Sequence, residues 1–226
     1  MDSSNNLEQI LKDVRSSYRL LYQFQKRILD IVDYSNKFYG RQCHAGWSKF
    51  SNATPKAKKV TLGLWSWDWL NLYMYNFTSD YLSISEDQYN FSIFLVSDTG
   101  YFLTNRQELF NEKETSQRKG KSNHTTKTDI ENFASVELSE SKLIFIAGKN
   151  LWECEEVFND NFNNPKLVLE AHGKYEKGEG KMIFKSYNIS QFENEKATKK
   201  NLNDFKDYCD HEGVILRNPL IDDRTQ

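Results

Sequence analysis

A block of aromatic and aliphatic residues at positions 60–102 constrains the fold of this chain more than any other stretch. Four of the five tryptophans lie in this block or just before it: Trp47, Trp65, Trp67 and Trp69. Two long apolar runs follow, at residues 69–77 and 89–96. A buried aromatic side chain removes roughly 150–250 Å² from water. We therefore expect this block to supply much of the hydrophobic core.

The composition favours a sheet at the centre of the fold. Hydrophobic residues make up 38% of the chain and aromatic residues 14%, so the core has few aliphatic side chains and many rings. Aromatic and β-branched residues fit the pleated, half-buried surface of a sheet. The 226 residues are enough for one large domain or two small ones, and no linker or internal repeat divides them. We predict a single α+β domain over residues 1–226.

Two segments have the apolar spacing of amphipathic helices. Residues 7–38 carry apolar side chains at three- and four-residue steps, with no Pro or Gly among them. Asn5 or Asn6 is placed to cap the start, and Gly40 to end the helix. This helix is expected either to pack on a sheet face or to mediate a helix–helix dimer. A second helix is predicted over residues 190–211, capped by Ser190 or Asn188. Its inner face is expected to hold Phe192, Ala197, Leu202, Phe205 and Cys209.

The aromatic block itself is expected to form strands. Alternation over residues 69–77 and the apolar run at 88–97 predict two strands, and a third begins at 101–104 after a turn at 98–100. A helix is the alternative for the first strand, because its aromatic residues also fit a four-residue step. The three strands would form an antiparallel meander, and residues 93–96 are expected to be buried on both faces of the sheet.

The second half of the chain supplies the remaining predicted elements. Further strands are predicted over residues 133–138, 142–147, 166–171 and 181–187. The last two flank a turn region at 173–180, an acidic helix is predicted over 150–161, and residues 105–132 are predicted to be a mobile polar loop. The fold class is therefore α+β. A mainly antiparallel sheet of roughly six or seven strands is covered on one face by the N-terminal and C-terminal helices.

Charge, hydropathy and cysteine usage narrow the class of protein. The formal net charge of −2 argues against a dedicated nucleic-acid coat protein. No stretch approaches the roughly 18 consecutive apolar residues of a membrane span, and the polar, acidic N-terminus does not resemble a secretory signal. Cys43, Cys154 and Cys209 are far apart and odd in number, so no disulfide framework is expected. We predict a cytoplasmic protein that does not contact a membrane.

The segment 41–61 is the best candidate for a binding site. It holds five lysines and arginines and no acidic residue, with Trp47 and Phe50 between them. Cationic side chains bind phosphate or carboxylate groups, and aromatic faces stack on bases. The candidate ligand-binding residues are Arg41, His44, Trp47, Lys49, Lys58, Lys59, Trp65 and Asp68. The alternative is a solvated basic loop in which Trp47 and Phe50 are simply buried.

Two aspartates were natural candidates for acid–base chemistry. Asp68 stands between Trp67 and Trp69, where it is either a general acid or base, or a structural residue that pairs with Arg41 or caps a turn. Asp98 belongs to an Asp-Thr-Gly turn. Aspartic-protease chemistry needs two such carboxylates sharing a proton, and the chain has one such motif. The motif therefore indicates a turn.

No other motif predicts chemistry. Glu170, His172 and Lys174 alternate as they would on one face of a strand, a row typical of a solvent-facing edge strand. The scattered histidines and cysteines lack the spacing of metal ligands, and the common nucleotide-binding and hydrolase motifs are absent. The sequence predicts no metal and no cofactor, assigns no catalytic residue, and leaves open whether the protein is an enzyme.

Two hypotheses for the function follow. The first is a cytoplasmic binding protein whose partner is another protein or a second copy of itself, because the chain is rich in aromatic residues and has no catalytic motif. The second is an enzyme or sensor that acts on a nucleotide or nucleic-acid ligand through residues 41–69. They are distinguished by whether Arg41, His44, Lys49 and Asp68 converge on one pocket.

Overall fold

The structure is a computed structural model that describes residues 3–51, 66–70, 72–104, 129–151 and 165–217. The helices in chain order are α1 (Ser3–Phe38), α2 (Gly100–Thr104), α3 (Pro165–Leu169) and α4 (Glu195–Glu212). The strands are β1 (Cys43–Ser48), β2 (Met74–Ser79), β3 (Leu82–Ile84), β4 (Asp87–Val96), β5 (Lys142–Lys149), β6 (His172–Lys177) and β7 (Gly180–Asn188). Short 3₁₀ helices cover Ser66–Trp69, Ile130–Asn132 and Ile189–Phe192.

The strands form one seven-stranded sheet in which every pairing is antiparallel. The order is β1-β2-β4-β5-β7-β6, and the short β3 pairs with the outer part of β4. β4 and β5 lie at the centre and pair in continuous register from Tyr89↔Lys149 to Val96↔Lys142. The predicted fold class, a mainly antiparallel sheet with a long N-terminal helix and a C-terminal helix, is confirmed.

The central strand β4 is buried on both faces, as its apolar run predicted. Ile93, Leu95 and Val96 have no exposed surface, and Phe94 is 4% exposed. Successive side chains of a strand point to opposite faces, so Ile93 and Leu95 enter one core cluster and Phe94 and Val96 enter the other. β4 therefore holds two hydrophobic layers together.

The first core cluster lies between the sheet and the two long helices. Ile28, Ile31 and Val32 of α1 share it with Leu202 and Phe205 of α4. The ring of Phe205 packs edge-on against Phe145 of β5, with ring centres 5.4 Å apart. Tyr39, just after α1, donates its hydroxyl to the Leu202 carbonyl at 2.7 Å. Both helices therefore cover the same face of the sheet, as expected.

The second core cluster covers the opposite face and contains much of the aromatic block. Trp67 of the first 3₁₀ helix stacks on Phe133 with ring centres 5.6 Å apart. Phe50 meets Trp67 edge-on at 4.8 Å, and Tyr101 and Phe102 of α2 belong to the same cluster. The expectation that this block supplies a large part of the core is confirmed for its described residues.

Several local predictions were wrong, and strand pairing or a capping turn explains two of the differences. Residues 43–48, expected to be irregular, form β1, because their backbone pairs with β2 although most of their side chains are exposed. Residues 101–104, expected to start a strand, lie in α2. The Asp98 carboxylate accepts a hydrogen bond from the Gly100 N–H at 2.7 Å and so turns the chain at the start of that helix.

The same kind of correction applies to other segments. Trp69 ends the first 3₁₀ helix, and residues 72 and 73 form a turn rather than a strand, because Leu70 N–H bonds back to the Trp67 carbonyl and Tyr73 N–H to the Leu70 carbonyl. Residues 133–138 form no strand and turn at positions 136–138, and residues 166–169 lie in α3 rather than in a strand. Most of the turn predicted at 173–180 is the strand β6, with the reversal at Gly178, whose φ is 60°.

The start of the C-terminal helix also differs from the prediction. Asn194 caps α4 by accepting a hydrogen bond from Ala197 N–H at 2.9 Å, whereas Asn188 caps the 3₁₀ helix before it. Most of the acidic helix predicted at 150–161 and most of the polar loop at 105–132 lie outside the described residues. No described helix combines the length and apolar character that a membrane span requires.

Candidate functional site

The structure describes five of the eight residues predicted to bind a ligand. These are Arg41, His44, Trp47, Lys49 and Asp68. Lys58, Lys59 and Trp65 lie outside the described residues. The positions of the five can therefore be compared with the single pocket that the enzyme hypothesis requires.

Arg41 is buried, with 5% of its surface exposed. Its Nε donates to the Leu216 carbonyl at 2.8 Å, and its Nη1 donates to the carbonyls of Asp80 at 2.9 Å and Tyr89 at 3.4 Å. Burial lowers the pKa of the guanidinium, and the charge of Asp80 acts in the opposite direction. These bonds tie the chain after α4 to the edge of the sheet, so the cation is directed to carbonyls of its own chain.

His44, Trp47 and Lys49 lie in or next to β1. His44 is exposed, and Trp47 and Lys49 are half-buried. The Lys49 ammonium lies 5.1 Å from the centre of the Trp47 ring, within the range of a cation–π contact. The structure therefore brings one predicted cation and one predicted aromatic residue together.

Asp68 is buried within the first 3₁₀ helix. Its neighbour Trp67 belongs to the second core cluster, whereas the contacts of Arg41 to Tyr89 and Leu216 are with members of the first cluster. The two clusters lie on opposite faces of the sheet. Arg41 and Asp68 consequently do not line one pocket.

A different surface stands out once the exposure of the helices is considered. Every side chain of α1 from position 6 to position 20 is exposed. The apolar ones are 44% to 73% exposed: Leu7, Ile10, Leu11, Val14, Tyr18 and Leu20. All of them except Leu20 lie along one side of the helix, and we call these five residues the α1 apolar face. They continue, towards the N-terminus, the same stripe that buries Ile28 and Ile31 in the first core cluster.

The α1 apolar face has a geometric cause. α1 has 36 residues, which at 1.5 Å per residue is about 54 Å. The longest strand has 10 residues, or about 33 Å, and the six-strand path of the sheet is about 24 Å across. The helix is longer than the sheet in either direction, so its first half extends beyond the core. The helix predicted over residues 7–38 is already longer than a typical strand or sheet, and its length is the sequence feature that indicates this projecting half.

A shallow apolar groove of about 750 Å³ runs along this half of the helix. Val14, Tyr18, Leu21 and Phe24 line it from α1, and Leu70 closes it from the segment after the first 3₁₀ helix. Asp13 and Ser17 are its polar lining residues, and their hydrogen bonds stay within the helix: Ser17 Oγ donates to the Asp13 carbonyl at 2.8 Å, and Gln9 donates to the Asp13 carboxylate at 2.9 Å. A groove of this kind fits an apolar helix or extended segment better than a charged small molecule.

The described residues offer no comparable centre for catalysis. Within them, no group of three or more His, Cys, Asp and Glu side chains is placed to hold a metal ion. One charge pair joins Lys185 Nζ to Asp204 Oδ2 at 2.7 Å, and the same carboxylate oxygen accepts a hydrogen bond from the Tyr187 hydroxyl at 2.6 Å. This group joins α4 to β7 and so has a structural role.

Fold and surface together define an α+β protein with an antiparallel sheet and two long helices on one face of it. One of these helices, α1, projects past the core. The chain belongs to the PM0109 family, whose sequence profile matches residues 4–217. No curated protein matches the sequence, and no solved structure matches it either.

Proposed function

We propose that this protein is a binding protein that recognises another protein chain through the α1 apolar face. The observation that carries the proposal is the exposure of five large apolar side chains along one side of a projecting helix. Contiguous apolar surface of this kind is rare on monomeric proteins and marks interaction sites. An amphipathic helix is a common recognition element for a helical or grooved partner.

The cytoplasm is the proposed site of action. Cys43 is exposed and Cys209 is buried, and both are free thiols. Free cysteines persist in a reducing compartment, whereas secreted domains normally use theirs in disulfides. The two free thiols therefore support a cytoplasmic location.

The alternative function, binding of a nucleotide or nucleic acid through residues 41–69, has less support. Its favourable feature is the contact of Lys49 with Trp47. Against it, Arg41 donates to three carbonyls of its own chain, and Asp68 lies on the other side of the sheet from the contacts of Arg41.

The proposal is tested by placing charge on the α1 apolar face. The double variant Val14→Asp/Tyr18→Asp changes two exposed residues, so the fold and the melting temperature should be retained while binding to a partner is lost. The matched control Ser16→Asp/Gln23→Asp adds the same charges on the opposite side of the same helix, where both residues are exposed.

Two measurements together decide the result. Light scattering detects self-association, and affinity capture from native extract with quantitative mass spectrometry detects other partners. Association that is lost in Val14→Asp/Tyr18→Asp and kept in the control supports the proposal. A wild-type protein that is monomeric and retains no protein in a face-dependent way would show that the face is not a binding surface.

A further inference from the structure

We infer that the partner of the α1 apolar face is a second copy of this chain, and that the two α1 helices pack antiparallel about a point between residues 15 and 16. This inference rests on the proposed function, because it names the partner of the same surface. It is carried by the spacing of the apolar residues, by the charges along the helix and by the position of the folded core on it.

The spacing is that of a helix–helix seam. Apolar or small residues occupy alternating three- and four-residue steps at positions 7, 10, 14, 17, 21 and 24, and Leu11 and Tyr18 lie beside this row. A repeat of 3.5 residues keeps a seam facing a partner helix over several turns. The same steps continue at positions 28 and 31, where the sheet of the same chain covers them. Before position 21 the seam is exposed and is available to a second helix.

The charges select the antiparallel direction. Residues 6–14 hold two carboxylates and one ammonium group, whereas residues 15–27 hold four cationic side chains and no acid. Most of these charged side chains lie on the side of α1 away from the seam, so they act between the copies at long range, and a parallel pair would gather the cationic side chains of both copies at one end of the pair. An antiparallel pair places the cationic segment of each copy against the more acidic segment of the other.

The position of the folded core on α1 also favours an antiparallel arrangement of the two helices. The sheet and α4 pack on α1 from about residue 24 onwards, as the partial burial of Phe24 and the full burial of Ile28 show. In a parallel pair both cores would have to occupy the same end of the helix pair. In an antiparallel pair they lie at opposite ends, and only the projecting halves overlap.

The register follows from matching apolar residues. With the centre between residues 15 and 16, Leu7 lies opposite Phe24 of the second copy, Ile10 opposite Leu21, and Val14 opposite Ser17. Leu11 lies beside Tyr18 of the second copy on one flank of the seam. Moving the centre by about one helical turn, to residue 12, would place the two Asp13 carboxylates together, which is unfavourable.

The size of the overlap predicts a reversible dimer. Residues 7–24 span about 26 Å of helix, and a helix with its side chains is about 10–12 Å wide. Two such strips amount to about 600 Å² in total, which is below the roughly 1,200–2,000 Å² of stable specific interfaces and in the range of weak, transient ones. Dissociation should therefore be measurable by dilution of the intact protein.

Sedimentation velocity over a range of protein concentrations tests the choice of partner. The intact protein should shift from monomer to dimer as its concentration rises. Val14→Asp/Tyr18→Asp should raise the dissociation constant at least about tenfold, because two carboxylates enter the seam of each copy, and Ser16→Asp/Gln23→Asp should leave it unchanged. A wild-type protein that stays monomeric overturns the inference. If that monomer still captures a different protein through the face, the proposed function stands; if it captures none, both fail.

Cysteine cross-linking tests the direction and the register. In a Cys43→Ser/Cys154→Ser background, a mixture of Leu11→Cys and Tyr18→Cys chains should form a disulfide-linked dimer under mild oxidation. Leu7→Cys alone should not, because its two copies would be about 26 Å apart in the antiparallel pair. Efficient cross-linking of Leu7→Cys to itself would show a parallel pair and would overturn the assigned direction.

Discussion

Arg41 donates hydrogen bonds to three carbonyl oxygens whose residues lie 39, 48 and 175 positions away along the chain. A guanidinium carries five N–H donors in a fixed plane and is therefore well suited to join several carbonyls. The sequence around Arg41 shows a basic residue in an acid-free segment and suggests a ligand. Its actual partners are brought to it by the strand pairing and by the end of α4, so no local pattern could indicate them.

Replacing Arg41 with Met should destabilise the protein by about 3 kcal/mol, because hydrogen bonds to charged groups contribute about 1.5–3 kcal/mol each and two of the bonds are short. Urea unfolding measures the change. The amides of residues 214–217 should also exchange hydrogen faster, since the Leu216 carbonyl loses its donor. Arg15→Met, at an exposed position of α1, is the control, and equal stabilities of the two variants would contradict this role for Arg41.

At the scale of elements, the strands and helices that the sequence predicted are those that carry their own apolar pattern. β4, β5 and β7 are buried runs, and α1 and α4 have a helical stripe. The strands that were missed or misplaced are β1 and β6 at the two edges of the sheet and the short β3, which pairs with β4 alone. An edge strand is defined by the backbone of its neighbour rather than by its own side chains, so sequence periodicity carries little information about it.

β4 should dominate the stability of the sheet, because it contributes to both core clusters. Phe94→Ala removes a ring that is 4% exposed and should cost about 3–5 kcal/mol, a large part of the roughly 5–15 kcal/mol that stabilises a typical domain. Val136→Ala, at a position 82% exposed, should cost almost nothing. Denaturant midpoints of the two variants check this, and a Phe94→Ala midpoint close to that of wild type would show that β4 is not central to stability.

At the scale of the whole molecule, the fold class was predictable because aromatic composition, two amphipathic helices and several apolar runs all indicated the same architecture. The amphipathic character of α1 was predictable from the sequence, but the exposure of its apolar face was not. The helix dimer was one of two interpretations of α1, and the choice depends on how far the helix extends beyond the sheet. That requires the dimensions of the assembled sheet, which depend on strand pairing between distant residues.

Three tyrosines with raised pKa values make the stability of the whole molecule sensitive to alkaline pH. Burial raises the pKa of Tyr39, Tyr73 and Tyr187 above the ordinary value of 10.0, and nearby negative charges act in the same direction. Tyr39 donates to the Leu202 carbonyl and Tyr187 to the Asp204 carboxylate. Each hydroxyl is thus held in its protonated form in the folded state.

The sign of the pH effect follows from proton counting. Below pH 10 the three tyrosines are protonated in both states, and their contribution is fully present. Above it the unfolded chain loses their protons while the folded protein keeps them, so the free energy of unfolding falls as pH rises. Each tyrosine contributes a slope of up to about 1.4 kcal/mol per pH unit. Urea unfolding across the alkaline range should show this decline. Tyr187→Phe should reduce the slope of the unfolding free energy against pH by the contribution of one tyrosine. Tyr81→Phe, at a position 69% exposed, should leave the slope unchanged; an identical decline in wild type and Tyr187→Phe would mean that the Tyr187 hydroxyl ionises as readily in the folded protein as in the unfolded chain.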